Sequence, residues 1–380
     1  MSKILSAIAC NLDTQILAAS LPLLEAEKVE AIEWSFDTLT QFDHIPEWYF
    51  ELMHAFGDEN RLIGHGVYFS LFSGKWLKEQ ADWLIRLEAM SKEFQFDHIT
   101  EHFGFMTGEN FHNGAPLSIP FTKTTLAIGQ DRLKRIHAAC NCPVGLENLA
   151  FSYSIEEVKR HGDFLNQLIE PINGFIILDL HNLYCQIHNF DVDFETIIKF
   201  YPLEKVREIH ISGGSWEDVE SVVDKKVRRD THDDGVPQMV FDLLEKTIPL
   251  CSNLKYVVME QLGTGLKTVE NQLQFRKDFL KMDAIIKREN EEKKTINVFS
   301  FMPKKPLIID VLPKEDRMLF EQQLTISNIL ETASDYKQAQ KLLLESDLSD
   351  TEWAVEKWQP FMLETAISIA QKWKSSFNDL

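Results

Sequence analysis

The chain has 380 residues, of which 44% are apolar and 26% charged, and it carries a formal net charge of −20. This composition is typical of a globular protein and excludes disordered and collagen-like chains. The acidic balance repels phosphate backbones and argues against nucleic acid as a partner.

Neither a membrane segment nor a disulfide framework is indicated. No apolar run approaches the ~20 residues that a spanning helix needs, and the amino terminus lacks the pattern of an export signal. We therefore expect a cytoplasmic protein without a membrane partner. The five cysteines include no CxxC pair, so the sequence predicts no disulfides and no thiolate zinc site.

From residue 4 to about 287, short β-rich runs alternate with longer stretches of helical periodicity. The predicted strands cover 4–10, 31–36, 62–70, 98–103, 144–149, 175–181, 208–212 and 256–261. Helical periodicity between them includes 77–94, 121–139, 155–168, 238–247 and 266–287. Eight such units predict an α/β fold, a (β/α)8 TIM-type barrel over residues 1–287, with its active site at the carboxyl ends of the strands.

A different pattern follows the barrel. Residues 288–295 are strongly polar and are predicted to form a linker. Residues 296–380 begin with several prolines and continue with helical periodicity over 314–332, 334–345 and 351–377. We predict an all-helical C-terminal extension that either packs on the barrel or docks a substrate peptide or partner protein.

Residues able to bind metals follow six consecutive predicted strands. Strands three to eight are followed in turn by nine such side chains: His65, His102, Glu147, Asp179 with Asn182, His210, then Asp230 with His232 in the next loop, and Glu260. Any one of them alone would usually be a structural residue, but their recurrence predicts one site at the barrel mouth.

Charge indicates what the site would hold. Four carboxylates at one barrel mouth, on Glu147, Asp179, Asp230 and Glu260, would repel each other unless they bound protons or cations. A set of imidazole, carboxylate and carboxamide groups without thiolate suits iron, manganese or catalytic zinc. More than four ligands predicts a multinuclear site.

Other polar residues are assigned by strand alternation. His98 is on the same face as His102 but deeper, so we expect it to support a ligand. His181 shares a face with Asp179, and alternation alone favours it over Asn182. Three further expectations follow: Glu101 faces the helices, Glu33 supports a ligand or forms an ion pair, and His137 and His161 are surface residues on helices.

These motifs resemble those of the multinuclear non-heme iron-dependent oxidases that modify cysteine residues of ribosomally made peptides, as in methanobactin biosynthesis. The resemblance covers about residues 1–285. It is carried in order by Gly64-His65-Gly66-Val67, Thr100-Glu101-His102, Leu146-Glu147-Asn148, Leu178-Asp179-Leu180-His181-Asn182, Glu208-Ile209-His210-Ile211-Ser212-Gly213, Asp230-Thr231-His232 and Met259-Glu260.

The resemblance implies a (β/α)8 barrel whose nine residues hold two or three irons in mixed ferrous and ferric states, with Glu147 as a bridge and Asn182 favoured over His181. It also implies dioxygen as co-substrate and removal of hydrogen from the β-carbon of a cysteine in a precursor peptide. Many relatives act with a separate protein that recruits the leader peptide, which makes such a partner an expectation here. The residues expected to take part in catalysis are Glu147, Asp179, His210 and Glu260.

Two other hypotheses fit the same residues. One is a zinc- or manganese-dependent hydrolase or isomerase of the xylose isomerase and endonuclease group, in which metal-bound water or a polarised carbonyl would react. The other is a metal-dependent scaffold that supports the helical extension. This barrel hosts many chemistries, so the fold alone does not separate these hypotheses.

Overall fold

The computed structural model describes residues 3–41, 44–107, 116–292 and 299–376. Eight strands form a closed barrel in which each strand pairs in parallel with its sequence neighbours. They are β1 (Leu5–Ala9), β2 (Ala31–Trp34), β3 (Leu62–His65), β4 (Phe96–Glu101), β5 (Val144–Glu147), β6 (Phe175–Asp179), β7 (Val206–Ile211) and β8 (Tyr256–Met259). The predicted (β/α)8 barrel is therefore confirmed.

Helices follow the strands in turn around the barrel. They are α1 (Thr14–Glu25), α2 (Glu47–Gly57), α3 (Lys78–Glu93), α4 (Lys123–Cys140), α5 (Ile155–Ile169), α6 (Leu180–Phe190), α7 (Phe194–Ile197), α8 (Gln238–Thr247) and α9 (Val269–Glu292). Several begin where a short polar side chain accepts hydrogen bonds from the first turn, as at Asp13, Thr122 and Ser154. Among the described residues, every helix is too short or too polar to cross a bilayer.

Among the predicted boundaries that differ from the structure, two concern the site and the linker. The sixth strand ends at Asp179, not at residue 181, because the Asp179 side chain accepts a hydrogen bond from the Asn182 amide and begins α6 there. The last barrel helix continues to Glu292, so residues 288–292 of the predicted linker are helical. The remaining linker residues, 293–295, lie outside the described residues.

The apolar core lies mainly between the barrel and its helices. Inside the barrel, small and apolar side chains such as Ala7, Ala31 and Val258 form a separate cluster. At the amino-terminal end of the strands, Phe301 from the chain after α9 packs on Phe175, with ring centroids 5.5 Å apart. That end of the barrel interior is filled, and the opposite end carries the polar residues described below.

The extension contains α10 (Arg317–Thr332), α11 (Tyr336–Glu345) and α12 (Pro360–Ser376), which contact one another. It packs on loops at the carboxyl ends of the strands. Gln323 of α10 hydrogen-bonds the backbone of Gly74 and Phe72 in the loop after β3. Trp358 stacks on Tyr153 in the loop after β5, with centroids 3.6 Å apart. The extension therefore borders the mouth of the barrel.

Candidate metal centre

Two histidines converge on one oxygen of Glu147 at the end of β5. The Nε2 atoms of His65 and His102 lie 3.5 and 3.6 Å from Glu147 Oε2. His102 Nδ1 lies 2.8 Å from the Gly66 carbonyl, which only accepts, so that nitrogen carries the proton. His65 Nδ1 lies 2.8 Å from Thr100 Oγ1, whose hydroxyl donates to the Gly64 carbonyl. Both histidines thus present an unprotonated Nε2 to the same point.

A second group shares Glu147 with the first. Ligand atoms of Glu147, Asp179, His210 and Glu260 lie within 4.8 Å of one another, as do those of His65, His102 and Glu147. His210 Nδ1 is 3.7 Å from Glu147 Oε1 and 3.2 Å from Glu260 Oε2. Because Glu147 directs one oxygen to each group, it is placed as a bridging carboxylate would be.

Asp230 and His232 reach the site from the long connection after β7. A short antiparallel hairpin, Trp216–Asp218 with Lys226–Arg228, precedes them. The hairpin passes close to Gly214, where a Cβ would collide with the Arg229 carbonyl oxygen. His232, at φ 52°, places Nε2 2.8 Å from Asp230 Oδ1 and 3.9 Å from Glu260 Oε2. Both residues therefore join the network through Glu260.

Asn182 faces the site and His181 does not. In the first turn of α6, Asn182 Nδ2 donates to Glu147 Oε1 at 3.3 Å and to the Asn148 carbonyl at 2.8 Å. His181 Nε2 instead accepts from Arg228 Nε at 3.1 Å, and its Nδ1 lies 3.0 Å from Asp230 Oδ1. Strand alternation does not extend to His181, because the chain is already helical here. With both ring nitrogens bonded, His181 orients Asp230.

A buried layer supports His210 from below. Its Nε2 lies 2.7 Å from Glu208 Oε1 and 3.1 Å from Glu33 Oε2. Glu208 Oε2 lies 2.5 Å from His98 Nε2, and His98 Nδ1 lies 2.9 Å from Asp97 Oδ2. A carboxylate bonded to one imidazole nitrogen fixes the ring and leaves the other nitrogen for a ligand role. The other nitrogen here is His210 Nδ1, which faces Glu147 and Glu260.

The carboxyl groups of the site have strongly displaced pKa values. Burial, together with the charges of Glu260 and Asp179, raises the pKa of Glu147 well above its usual range. Burial and the charge of Asp230 raise the pKa of Asp179 to about 7. For Glu260, burial acts in the same direction, but the charge and hydrogen bond of His210 outweigh it and lower the pKa. Without a cation, these acids cannot all ionise together.

The pKa values of the histidines are also displaced, in both directions. Burial lowers the pKa of His65 well below its usual range and lowers that of His102. For His210, burial favours the neutral form, but Glu260, Glu33 and Glu208 outweigh it and raise the pKa well above the usual range. Neutral imidazoles are the form that binds metals, so His65 and His102 are already in that form.

Unsatisfied oxygens provide a test of whether the residues fit metal ions. Asp179 Oδ2 and Asn182 Oδ1 are buried and have no hydrogen-bond partner within the described ranges. Buried polar atoms usually have a partner, and leaving one without costs ~1–3 kcal/mol. Both atoms belong to the oxygen and nitrogen donor set that suits iron, manganese or zinc. The residues therefore fit a bound metal.

The structure brings all nine sequence-predicted residues into one connected network. Of the three other expectations, those for Glu33 and Glu101 agree with the structure. Glu33 pairs with His210, and Glu101 accepts from the His102 and Phe69 amides, away from the barrel axis. His137 and His161 are buried, not at the surface as predicted. Glu208, which supports His210, was given no role, although its position two residues before His210 on one strand face was the available signal.

Comparison with known proteins identifies a family. The profile of the RiPP precursor modification enzymes MbnB/TglH/ChrH matches residues 28–262, where RiPP denotes a ribosomally synthesised and post-translationally modified peptide. This range includes the nine residues of the network and ends before α9 and the extension.

Curated relatives and solved structures also match parts of the chain. A UPF0276 protein of Shewanella oneidensis is 25% identical over 188 residues, which is 50% of this chain and 64% of the relative. One from Caulobacter vibrioides is 25% identical over 183 residues, 48% and 62% respectively. The chain thus spans less than two thirds of these relatives. An L-ribulose 3-epimerase matches with a TM-score of 0.48 and 11% identity, over 78% of this chain and 99% of the epimerase.

Proposed function

The chain belongs to the MbnB/TglH/ChrH family of RiPP precursor modification enzymes, and from that premise we propose that it is a multinuclear iron-dependent oxidase. Its substrate is a cysteine-containing precursor peptide, and dioxygen is the electron acceptor. The observation that carries the proposal is the shared position of Glu147, which connects two groups of nitrogen and oxygen ligands.

Iron accounts for the choice of ligands and for the reaction together. All five cysteines are free and none belongs to the candidate metal groups of the described residues. When bound, iron would supply the one-electron chemistry with dioxygen that amino acid side chains lack and that zinc cannot supply. His65, His102 and Glu147 would hold one ion, and Glu147, Asp179, His210 and Glu260 a second. Asn182, Asp230 and His232 complete the proposed ligand set.

The chain's own residues would prepare this site in three ways. Thr100 and the Gly66 carbonyl fix the protons of His65 and His102 on Nδ1, so that Nε2 is free. Glu208 holds His210 by the opposite nitrogen. Because the residues of both metal groups except His102 are buried, water has little access to the reacting groups.

Metal replacement tests the proposal. The protein would be reconstituted under nitrogen with ferrous iron, manganese or zinc, then given a cysteine-bearing precursor encoded beside its gene, with and without air. We expect a change in peptide mass only with iron and air, and none for a serine analogue of the peptide. Turnover by the zinc or manganese protein under nitrogen would instead support a hydrolase or isomerase.

A further inference from the structure

A cavity of about 500 Å³ opens above the candidate metal centre. The proposed ligands in its lining are His102, Glu147, Asn182, Asp230 and His232. Its volume is within the roughly 300–1,000 Å³ of small-molecule sites, so it can receive a short peptide segment but not a folded domain. Part of its wall comes from helix α12, which lies outside the residues matched by the family profile.

One face of α12 lines this cavity. Met362, Thr365, Ile369 and Trp373 recur at intervals of three and four residues, which places them along one side of the helix. Ile367, between two of them, is buried but is not part of the lining. Since α12 also contacts α10 and α11, the helix has one side in the extension and another at the cavity.

Hydrogen bonds hold α12 to the barrel loops. The Glu364 carboxylate accepts from the amides of Glu220 and Ser221, at 2.8 and 3.0 Å, in the loop after β7. Ser368 Oγ donates to Glu217 Oε1 at 2.7 Å. At the start of the helix, the amide of Gln359 donates to the Tyr153 carbonyl at 2.9 Å. Anchored to the loops after β5 and β7, α12 is a fixed part of the cavity wall.

The wall is chemically suited to an apolar side chain. Together with Met362 and Ile369, the lining includes Leu149 and Phe151 from the loop after β5. The arginines of the lining are engaged with protein groups, because Arg229 pairs with Glu217 and Arg228 donates to His181. Apolar contact in a preformed pocket favours an apolar ligand group over a polar one of similar size.

We propose that α12 is the specificity-determining wall of the substrate site and receives an apolar side chain next to the cysteine that is modified. This inference rests on the proposed function, since it assumes that a peptide cysteine reaches the metal centre. It gives the extension a role in recognition as well as in packing.

Two synthetic peptides test the assignment, acetyl-Gly-Leu-Cys-Leu-Gly-amide and the same peptide with serine in place of each leucine. Their affinities for the iron-loaded protein would be measured under nitrogen by titration calorimetry, so that no turnover occurs. We expect the leucine peptide to bind at least about tenfold more tightly. Ile369→Ala should bring this ratio of affinities close to one. Ile367→Ala is the same substitution on the same helix but outside the lining, and it should leave the ratio unchanged.

A filling variant adds a second measurement. Ile369→Trp should weaken binding of both peptides by about tenfold or more while leaving the iron content unchanged. A leucine-to-serine ratio that Ile369→Ala leaves unchanged, or that both alanine variants change equally, would overturn the assignment. Oxygen uptake with the full-length precursor distinguishes the two proposals: peptide binding with the expected ratios, but no uptake when air is added to the iron-loaded protein and the precursor, refutes the oxidase and leaves the wall assignment standing.

Discussion

Replacement of Glu147 by glutamine tests the bridging arrangement. Two candidate metal groups contain Glu147, whereas only one contains His65. If each group holds one ion, Glu147→Gln should weaken the binding of two ions and His65→Ala the binding of only one. Each hundredfold loss of affinity removes ~2.7 kcal/mol of metal-dependent stabilisation per ion. In the metal-free protein, Glu147→Gln should instead raise the free energy of unfolding, because burial makes the ionised Glu147 carboxylate unfavourable.

The assay combines iron content with thermal unfolding. Each variant would be reconstituted with ferrous iron under nitrogen, desalted, analysed for iron and then heated with and without a chelator. Asp283→Asn is a control, since Asp283 is also buried but accepts from Ser6 near the amino-terminal end of β1 and belongs to neither group. We expect the order of iron loss to be Glu147→Gln, then His65→Ala, then Asp283→Asn with none. Equal losses for Glu147→Gln and His65→Ala would refute the shared-ligand arrangement.

Three further substitutions give separate tests. Glu208→Gln should lower iron affinity ~10–100-fold in a chelator competition, because Glu208 orients His210. Burial lowers the pKa of His161 to about 3, whereas the unfolded chain binds a proton at this side chain below about pH 6.5. Between pH 6 and 4, His161 should therefore lower the free energy of unfolding by ~1.4 kcal/mol for each pH unit that the pH drops. In denaturant titrations, His161→Gln should remove this contribution to the pH dependence. Trp358→Ala should lower the free energy of unfolding by ~3–5 kcal/mol in the same titrations, since Trp358 is buried against Tyr153.

The sequence predicted the barrel because its strands are short apolar runs followed by polar side chains. In a parallel barrel, strand ends meet at one mouth, and residues as far apart as His65 and Glu260 therefore came together as expected. The strand positions could be predicted without long-range information. The points where the strands end could not, since the predicted third strand extended to residue 70 and the observed strand ends at His65.

Local geometry explains two departures from the sequence reasoning at the site. Asp179 is both the last residue of β6 and the cap of α6, so strand alternation ends two residues before His181. The Asp179 and Asn182 pair, three residues apart, carried a capping signal that favoured a helix. Glu208 was overlooked because a deep carboxylate has no sequence mark beyond sharing a strand face with His210.

The placement of α12 over the cavity could not be read from the sequence. Its apolar periodicity predicts a helix with a packed side, but the partner of that side depends on tertiary contacts such as Glu364 with the loop after β7. Residues 355–357 also form a separate short helical turn, and α12 begins only at Pro360, whereas the sequence predicted one helix from residue 351.

The central claim is that iron and dioxygen act on a peptide cysteine at this site. The most direct measurement follows oxygen concentration and peptide mass together after air is added to the iron-loaded protein and its cysteine-bearing precursor. We predict that oxygen falls in proportion to the modified peptide, and that Glu147→Gln abolishes both changes. Unchanged oxygen and unchanged peptide mass with a fully iron-loaded protein, or modification that proceeds equally under nitrogen, would contradict the claim.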